Sequence, residues 1–107
     1  MTDDKQLCVS KIRNGTVIDH ISGGQALNVR ASLGIDGTSG ESVSVAMNMP
    51  SDRLGKKDIV KVEGRELSQD EVDVLSLIAP AASINIVREF DVVEKHRVER
   101  PEEVTGV

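Results

Sequence analysis

Two stretches with a period of two constrain this chain more than anything else in it. From Ser42 to Met49, Val43, Val45, Met47 and Met49 alternate with Ser42, Ser44, Ala46 and Asn48. From Asp58 to Glu63, Val60 and Val62 are set against Ile59, Lys61 and Glu63. Successive side chains of a strand point to opposite faces, so each run predicts a strand with one face toward the core. The intervening Pro50-Ser51-Asp52-Arg53-Leu54-Gly55-Lys56-Lys57 is rich in turn formers and reads as a loop.

Other elements follow from local signals. Ser68 and Glu71 form a capping box, Leu67 and Val72 a hydrophobic staple, and acids crowd the positive end of a helix that Pro80 stops. Ser22 with Gln25 matches a second capping box and Gly34 suits a left-handed C-terminus, so residues 23–33 read as a helix. Its apolar stripe of Ala26, Leu27, Val29, Ala31 and Leu33 is thin, interrupted by Arg30 and Ser32. Leu7 to Ile18 reads as a strand turning sharply at Asn14-Gly15, because that pair tolerates positive φ. Ala82 to Arg88 is a strand with Ile84 and Ile86 on one face and Asn85 and Val87 on the other, and Phe90 to Lys95 continues as a last extended segment. His96 to Val107, mostly charged around Pro101, reads as a linker or tail after a domain of residues 1–95. The order strand, helix, two strands, helix, two strands predicts an α+β fold. The expected form is a ferredoxin-like sandwich, a mainly antiparallel sheet with two helices on one face and the other face left for solvent or a ligand.

Composition narrows function. The 107 residues suffice for one compact domain with one modest core. Phe90 is the single aromatic residue, so base stacking on aromatic platforms is nearly excluded. A net charge of −5 opposes binding to a nucleic-acid backbone, though not to a small anion in a local lysine cluster. One cysteine, Cys8, allows no internal disulfide and no multi-cysteine zinc site, and the compartment reads as reducing cytoplasm. Residues 1–20 hold no long apolar run, which argues against a secretory signal or membrane span.

The sequence lacks a glycine-rich phosphate loop and a Gly-x-Ser-x-Gly nucleophile elbow, so a bound nucleotide would be held by side chains and strand backbone. His20 and His96 stand outside metal-ligand spacing. Asp19-His20 before a helix could be a carboxylate-oriented imidazole, but adjacent residues on an extended segment point opposite ways, which favours a ligand contact over catalysis. Lys11, Lys56, Lys57, Lys61 and Lys95 are ordinary surface lysines taken singly; Asn85, mid-strand, would need a hydrogen-bond partner if buried.

Asn14-Gly15-Thr16-Val17-Ile18-Asp19-His20-Ile21, Asn48-Met49-Pro50-Ser51 through Gly55-Lys56-Lys57-Asp58-Ile59-Val60-Lys61-Val62-Glu63, Leu67-Ser68, Ala79-Pro80 and Ala82 to Val87 carry a more specific signal. Over essentially the whole chain they resemble the allosteric domain of the aspartate carbamoyltransferase regulatory chain family. The resemblance implies a non-catalytic domain in pyrimidine biosynthesis that binds CTP as feedback inhibitor, ATP as competing activator and often UTP beside CTP with Mg²⁺. It implies base and ribose contacts at Lys11, Ile12, Val17, Asp19, His20, Ile59, Lys61, Asn85, Val87, Phe90 and Val92, with Lys61 and Lys95 on phosphate and sugar. Ser51 and Lys57 match residues near a second nucleotide. Physically, backbone groups at residues 11–12 and 85–90 can read a base edge, Asp19 can accept from a ribose hydroxyl, and lysines hold phosphates as point charges.

The resemblance further implies a regulatory homodimer and a continuation into a four-cysteine zinc domain that docks on catalytic chains. No such cysteines are in this sequence, so Glu94 to Val107 is expected to be the connection toward that domain in a truncated chain that binds nucleotide without transmitting the signal. Arg30 and Ser32 stand where the family's first helix is expected to be apolar, which puts the packing of that helix in question. Two other classes compete: a dimerising ferredoxin-like module for a small ligand or protein, which needs no lysine constellation, and an acylphosphatase-like hydrolase, which needs a phosphate loop that is not found.

Overall fold

A computed structural model of the chain describes residues 12–35, 38 and 40–97. The elements run β1 (Gly15–Ser22), α1 (Ala26–Ser32), β2 (Val43–Ser51), β3 (Gly55–Glu63), α2 (Gln69–Ile78), β4 (Ser83–Arg88) and β5 (Asp91–Arg97). They follow the order read from the sequence. All strand pairs are antiparallel, and the sheet order is β2-β3-β1-β4-β5 with β1 at its centre. Residues opposite one another across paired strands share a face. Thr16 and Ile18 of β1 therefore lie beside Val62 and Val60 of β3 and Ile86 and Ile84 of β4.

Both helices cover that face. Ala26, Val29 and Leu33 from the α1 segment and Leu75 and Ala79 from the α2 segment bury against Ile18, Ile21, Val60, Val62, Ala82, Ile84 and Ile86. The core is aliphatic, each fully buried Ile, Leu or Val contributing about 1.5–3 kcal/mol of burial. This is the expected α+β, ferredoxin-like sandwich with two helices on one face.

The α2 start matches its sequence signal: Ser68 accepts from the Glu71 amide, Glu71 accepts from the Ser68 amide at 2.9 Å, and Leu67 and Val72 pack against the core. The Glu71 carboxylate also pairs with Arg65, whose guanidinium donates to the Leu33 carbonyl and so ties the two helices.

The α1 start does not match. The helix begins at Ala26, three residues later than the Ser22-Gln25 box implies, and Gln25 at its N-cap makes no side-chain cap. The cap comes from β3, where the fully buried Asp58 carboxylate accepts from the amides of Gly24 and Ala26, each at 2.8 Å. A Ser22-Gln25 box would use the amides of Ser22 and Gln25, whereas the carboxylate on the neighbouring strand takes those of Gly24 and Ala26 and moves the helix start along the chain. The C-terminus behaves as read: Gly34 at φ 68, with its amide on the Ala31 carbonyl and the Ile35 amide on the Arg30 carbonyl, forms a Schellman turn. Arg30 does not disturb the packing, because its guanidinium folds back to donate to the Ile35 carbonyl at 2.9 Å, and Ser32 is exposed.

Strict alternation in β2 also breaks. Its pairing with β3 shifts between Ala46 and Met49, where Asn48 adopts φ 58 and its amide donates to the second oxygen of Asp58. The bulge adds a residue after Ala46; on this edge strand Val45 and Met47 are exposed and only Val43 packs on the core. The strand read before the Asn14-Gly15 turn falls mostly outside the described residues, which begin at Ile12. Gly15 opens β1 at φ 145, where an added Cβ would collide with the Val62 carbonyl. The tight turn is Glu89-Phe90, at φ 50 and 72, joining Arg88 to Asp91 as a two-residue loop of the primed type.

Candidate functional site

On the sheet face away from the helices, β-register assembles residues that lie far apart in sequence. Lys61 of β3 pairs with Val17 of β1, Val17 with Asn85 of β4, and Asn85 with Lys95 of β5. These four form one row, with two lysines flanking a valine and an amide. Three strand spacings separate Lys61 from Lys95, about 14 Å between backbones, a gap that two lysine side chains can close on a phosphate. Lys61 is only 6% exposed and has no carboxylate partner within salt-bridge reach among the described residues. Burial pushes its ammonium below the usual lysine range, and Asp19 opposes that shift. Asn85 finds the partner its position demands, donating to the Val17 carbonyl at 3.2 Å. Its side-chain carbonyl and second N–H remain to bind something else.

To one side of this row, further along β1 and β3, lies a cavity of about 530 Å³, lined by Asp19, His20 and Ile59, by Met49 to Arg53, and by Lys57. The Lys57 ammonium sits 3.0 Å from the Asp19 carboxylate, both half-buried. His20 reaches the same cavity as Asp19 because its φ of 59 breaks the alternation that sequence reading assumed. Its amide donates to Asp19, whereas its Nδ1 lies 3.0 Å from the Ser83 hydroxyl. The imidazole is therefore oriented by a buried serine and not by the adjacent carboxylate. Burial pushes its pKa below the ordinary value; Lys57, Arg53 and Lys95 act in the same direction, and Asp19 acts against them. The cations around this imidazole outnumber the one carboxylate beside it, a local balance that favours an anion.

On the opposite side of the row, Val87 pairs with Gly15 and with Val92, next to the turn that carries Phe90. Phe90 is 57% exposed, its amide donating to the Arg13 carbonyl, and Ile12 is buried beside this segment's start. From Gly15 to Asp19 the strip runs about 13 Å along β1. The structure thus brings Val17, Lys61, Asn85 and Lys95 into one row, collects Asp19, His20, Ser51, Lys57 and Ile59 at the cavity, and leaves Val87, Phe90 and Val92 at the far hairpin. Lys11 lies outside the described residues.

Comparison with known proteins bears on what this strip belongs to. A family model described as "Aspartate carbamoyltransferase regulatory chain, allosteric domain" matches residues 7–99. The chain belongs to this family. The aspartate carbamoyltransferase regulatory chain of Haloarcula marismortui is 81% identical over 105 residues, covering 98% of this chain and 68% of its own length. That of Natronomonas pharaonis is 79% identical over 104 residues, 97% of this chain and 68% of the relative. That of Methanothrix thermoacetophila is 61% identical, again over 97% and 68%. Like its relatives, the chain is regulatory and not itself catalytic.

Within this regulatory-chain fold, sequence reading missed two residues of the site. Ser83 shares its face with Asn85 and orients His20, a role that only the β1–β4 register reveals. Arg53, read as part of a loop, lines the cavity and donates to the Ala81 carbonyl at 2.8 Å. Among the described residues no cluster of three or more His, Cys, Asp or Glu could hold a metal ion, and no helix is long and apolar enough to cross a membrane.

Proposed function

We propose that the chain is the effector-sensing part of an aspartate carbamoyltransferase, binding nucleoside triphosphates on the sheet face opposite its helices. CTP acts as feedback inhibitor and ATP as competing activator. The observation that carries this reading is Lys61, a nearly buried lysine without a carboxylate partner among the described residues, in register with Asn85 and Lys95. Its stem is packed into the sheet while its ammonium is left free of any carboxylate among the described residues, which suits it to take up an anion. Val17, Val87 and Val92 offer apolar contact for a base and sugar, Asp19 accepts from a ribose hydroxyl, and Lys61 and Lys95 hold phosphates. Ser51 and Lys57 at the cavity then meet a second nucleotide such as UTP. Mg²⁺ between two nucleotides would take most of its oxygens from phosphate and water, since the described residues offer no carboxylate cage.

The partners are a second regulatory chain and the catalytic chains of the enzyme. Residues 1–95 constitute the sensing unit in this reading. Sedimentation velocity over a concentration series should show a dimer, and monomer throughout would contradict that part. Calorimetric titration of CTP and of ATP, with and without Mg²⁺, tests the rest. Saturable binding of both, weakened at least about ten-fold in Lys61→Met, is expected from loss of one charge-assisted phosphate contact. An absence of heat with a folded far-ultraviolet spectrum would refute it.

A further inference from the structure

Arg53 is a residue that the nucleotide reading does not use. It sits at the centre of the three-residue turn, Asp52 to Leu54, that joins β2 to β3. The turn is well built: Ser51 pairs with Gly55, the Ser51 hydroxyl accepts from the Leu54 amide at 3.2 Å, and Gly55 takes φ 79. From its tip the guanidinium crosses to the segment before β4 and donates to the Ala81 carbonyl. Two residues on from that carbonyl is Ser83, which holds the His20 imidazole. Arg53 thus straps two walls of the cavity together while lining it.

The charge around the cavity is uneven. Of its two cations, Lys57 is ion-paired to Asp19, whereas Arg53 has no carboxylate within salt-bridge reach among the described residues. A guanidinium has five N–H donors in a rigid fork, and the Ala81 carbonyl takes one of them. The remaining fork matches two oxygens of one phosphate, a geometry that the lysine ammonium groups of the row cannot offer. The positive field of Arg53 already reaches His20, in concert with Lys57 and Lys95.

Resting on the nucleotide reading, we propose that Arg53 is a specificity-determining residue of that site, a fork that engages the terminal phosphates of the effector and so separates triphosphates from nucleosides. Its place on the cavity rim, at the end of the strip beyond Lys61, puts it where a phosphate chain extends away from the base. The Ala81 carbonyl fixes the fork in advance, which lowers the ordering cost of binding.

The test compares the parent chain with Arg53→Met and Arg53→Lys by calorimetry against CTP, cytidine and inorganic triphosphate. Arg53→Met should weaken CTP and inorganic triphosphate about ten-fold or more and leave cytidine unchanged, with Arg53→Lys intermediate because it keeps charge without the fork. The turn is exposed, so the unfolding midpoint should move little. Arg53→Met binding CTP as tightly as the parent overturns the role of Arg53 while leaving nucleotide sensing intact. Equal losses for cytidine and CTP overturn it as well, since Arg53 would then act through cavity shape. A parent chain that binds none of the three overturns the nucleotide reading itself.

Discussion

Asp58 holds three amides that no other group satisfies. Its Oδ2 accepts from Gly24 and Ala26 and its Oδ1 from Asn48, each at 2.8 Å, and the side chain is fully buried. One carboxylate therefore starts α1 and fixes the β2 bulge, which leads into the Met49 to Arg53 wall of the cavity. Hydrogen bonds to a charged group are worth about 1.5–3 kcal/mol each, so three set an upper bound near 9 kcal/mol. The desolvation cost of the carboxylate itself offsets part of this, and Asp58→Ala should lose about 3–5 kcal/mol. Asp58→Asn can keep the bonds to Gly24 and Ala26 but turns its NH₂ toward the Asn48 amide, and should lose about 2 kcal/mol. A domain of this size has about 5–15 kcal/mol in all, so the alanine variant should be near the edge of folding. Urea titration followed by far-ultraviolet dichroism reads both losses as shifts of the midpoint at unchanged slope. Losses below about 1 kcal/mol in both variants would refute the assignment of Asp58 as the cap of α1.

The His20 pKa is lowered in the folded chain by burial and by three neighbouring cations. The stability its neutral form contributes is fully present above the unfolded value near 6.5 and is lost as pH falls from there through the lowered folded value. The urea midpoint should therefore drop between pH 7.5 and pH 5 more steeply in the parent than in His20→Gln, and CTP should raise the imidazole titration midpoint read by NMR. Lys61→Met should bind nucleotide worse yet unfold at slightly higher urea, by less than about 1 kcal/mol, because a partly desolvated ammonium without a carboxylate partner among the described residues is exchanged for an apolar chain of similar shape. A lysine kept for structure would give the opposite sign.

The sequence made legible what depends on near neighbours. Val60 and Val62 against Lys61, Ile84 and Ile86 against Asn85, and the Ser68–Glu71 box all follow from spacing within one element, and all stand in the fold. What was hidden depends on groups distant in the chain or on rare backbone angles. The cap of α1 comes from a carboxylate 32 residues away from Ala26. The bulge at Asn48, the inversion at His20 and the Glu89-Phe90 turn all need positive φ at residues other than glycine, which no local pattern announces. In the candidate site, Val17, Asn85 and Lys95 share a face only because of register across three strands. Arg53 looked like one more turn residue, and its tie to Ala81 spans 28 positions.

The measurement that tests the central claim most directly is a ¹⁵N-resolved NMR titration of the chain with CTP. Amide shifts concentrated at Val17, Asp19, His20, Lys61, Asn85, Val87, Phe90 and Lys95, with α1 and α2 nearly unmoved, are the predicted outcome. Saturable shifts on the helices instead, with that strip silent, would contradict the account.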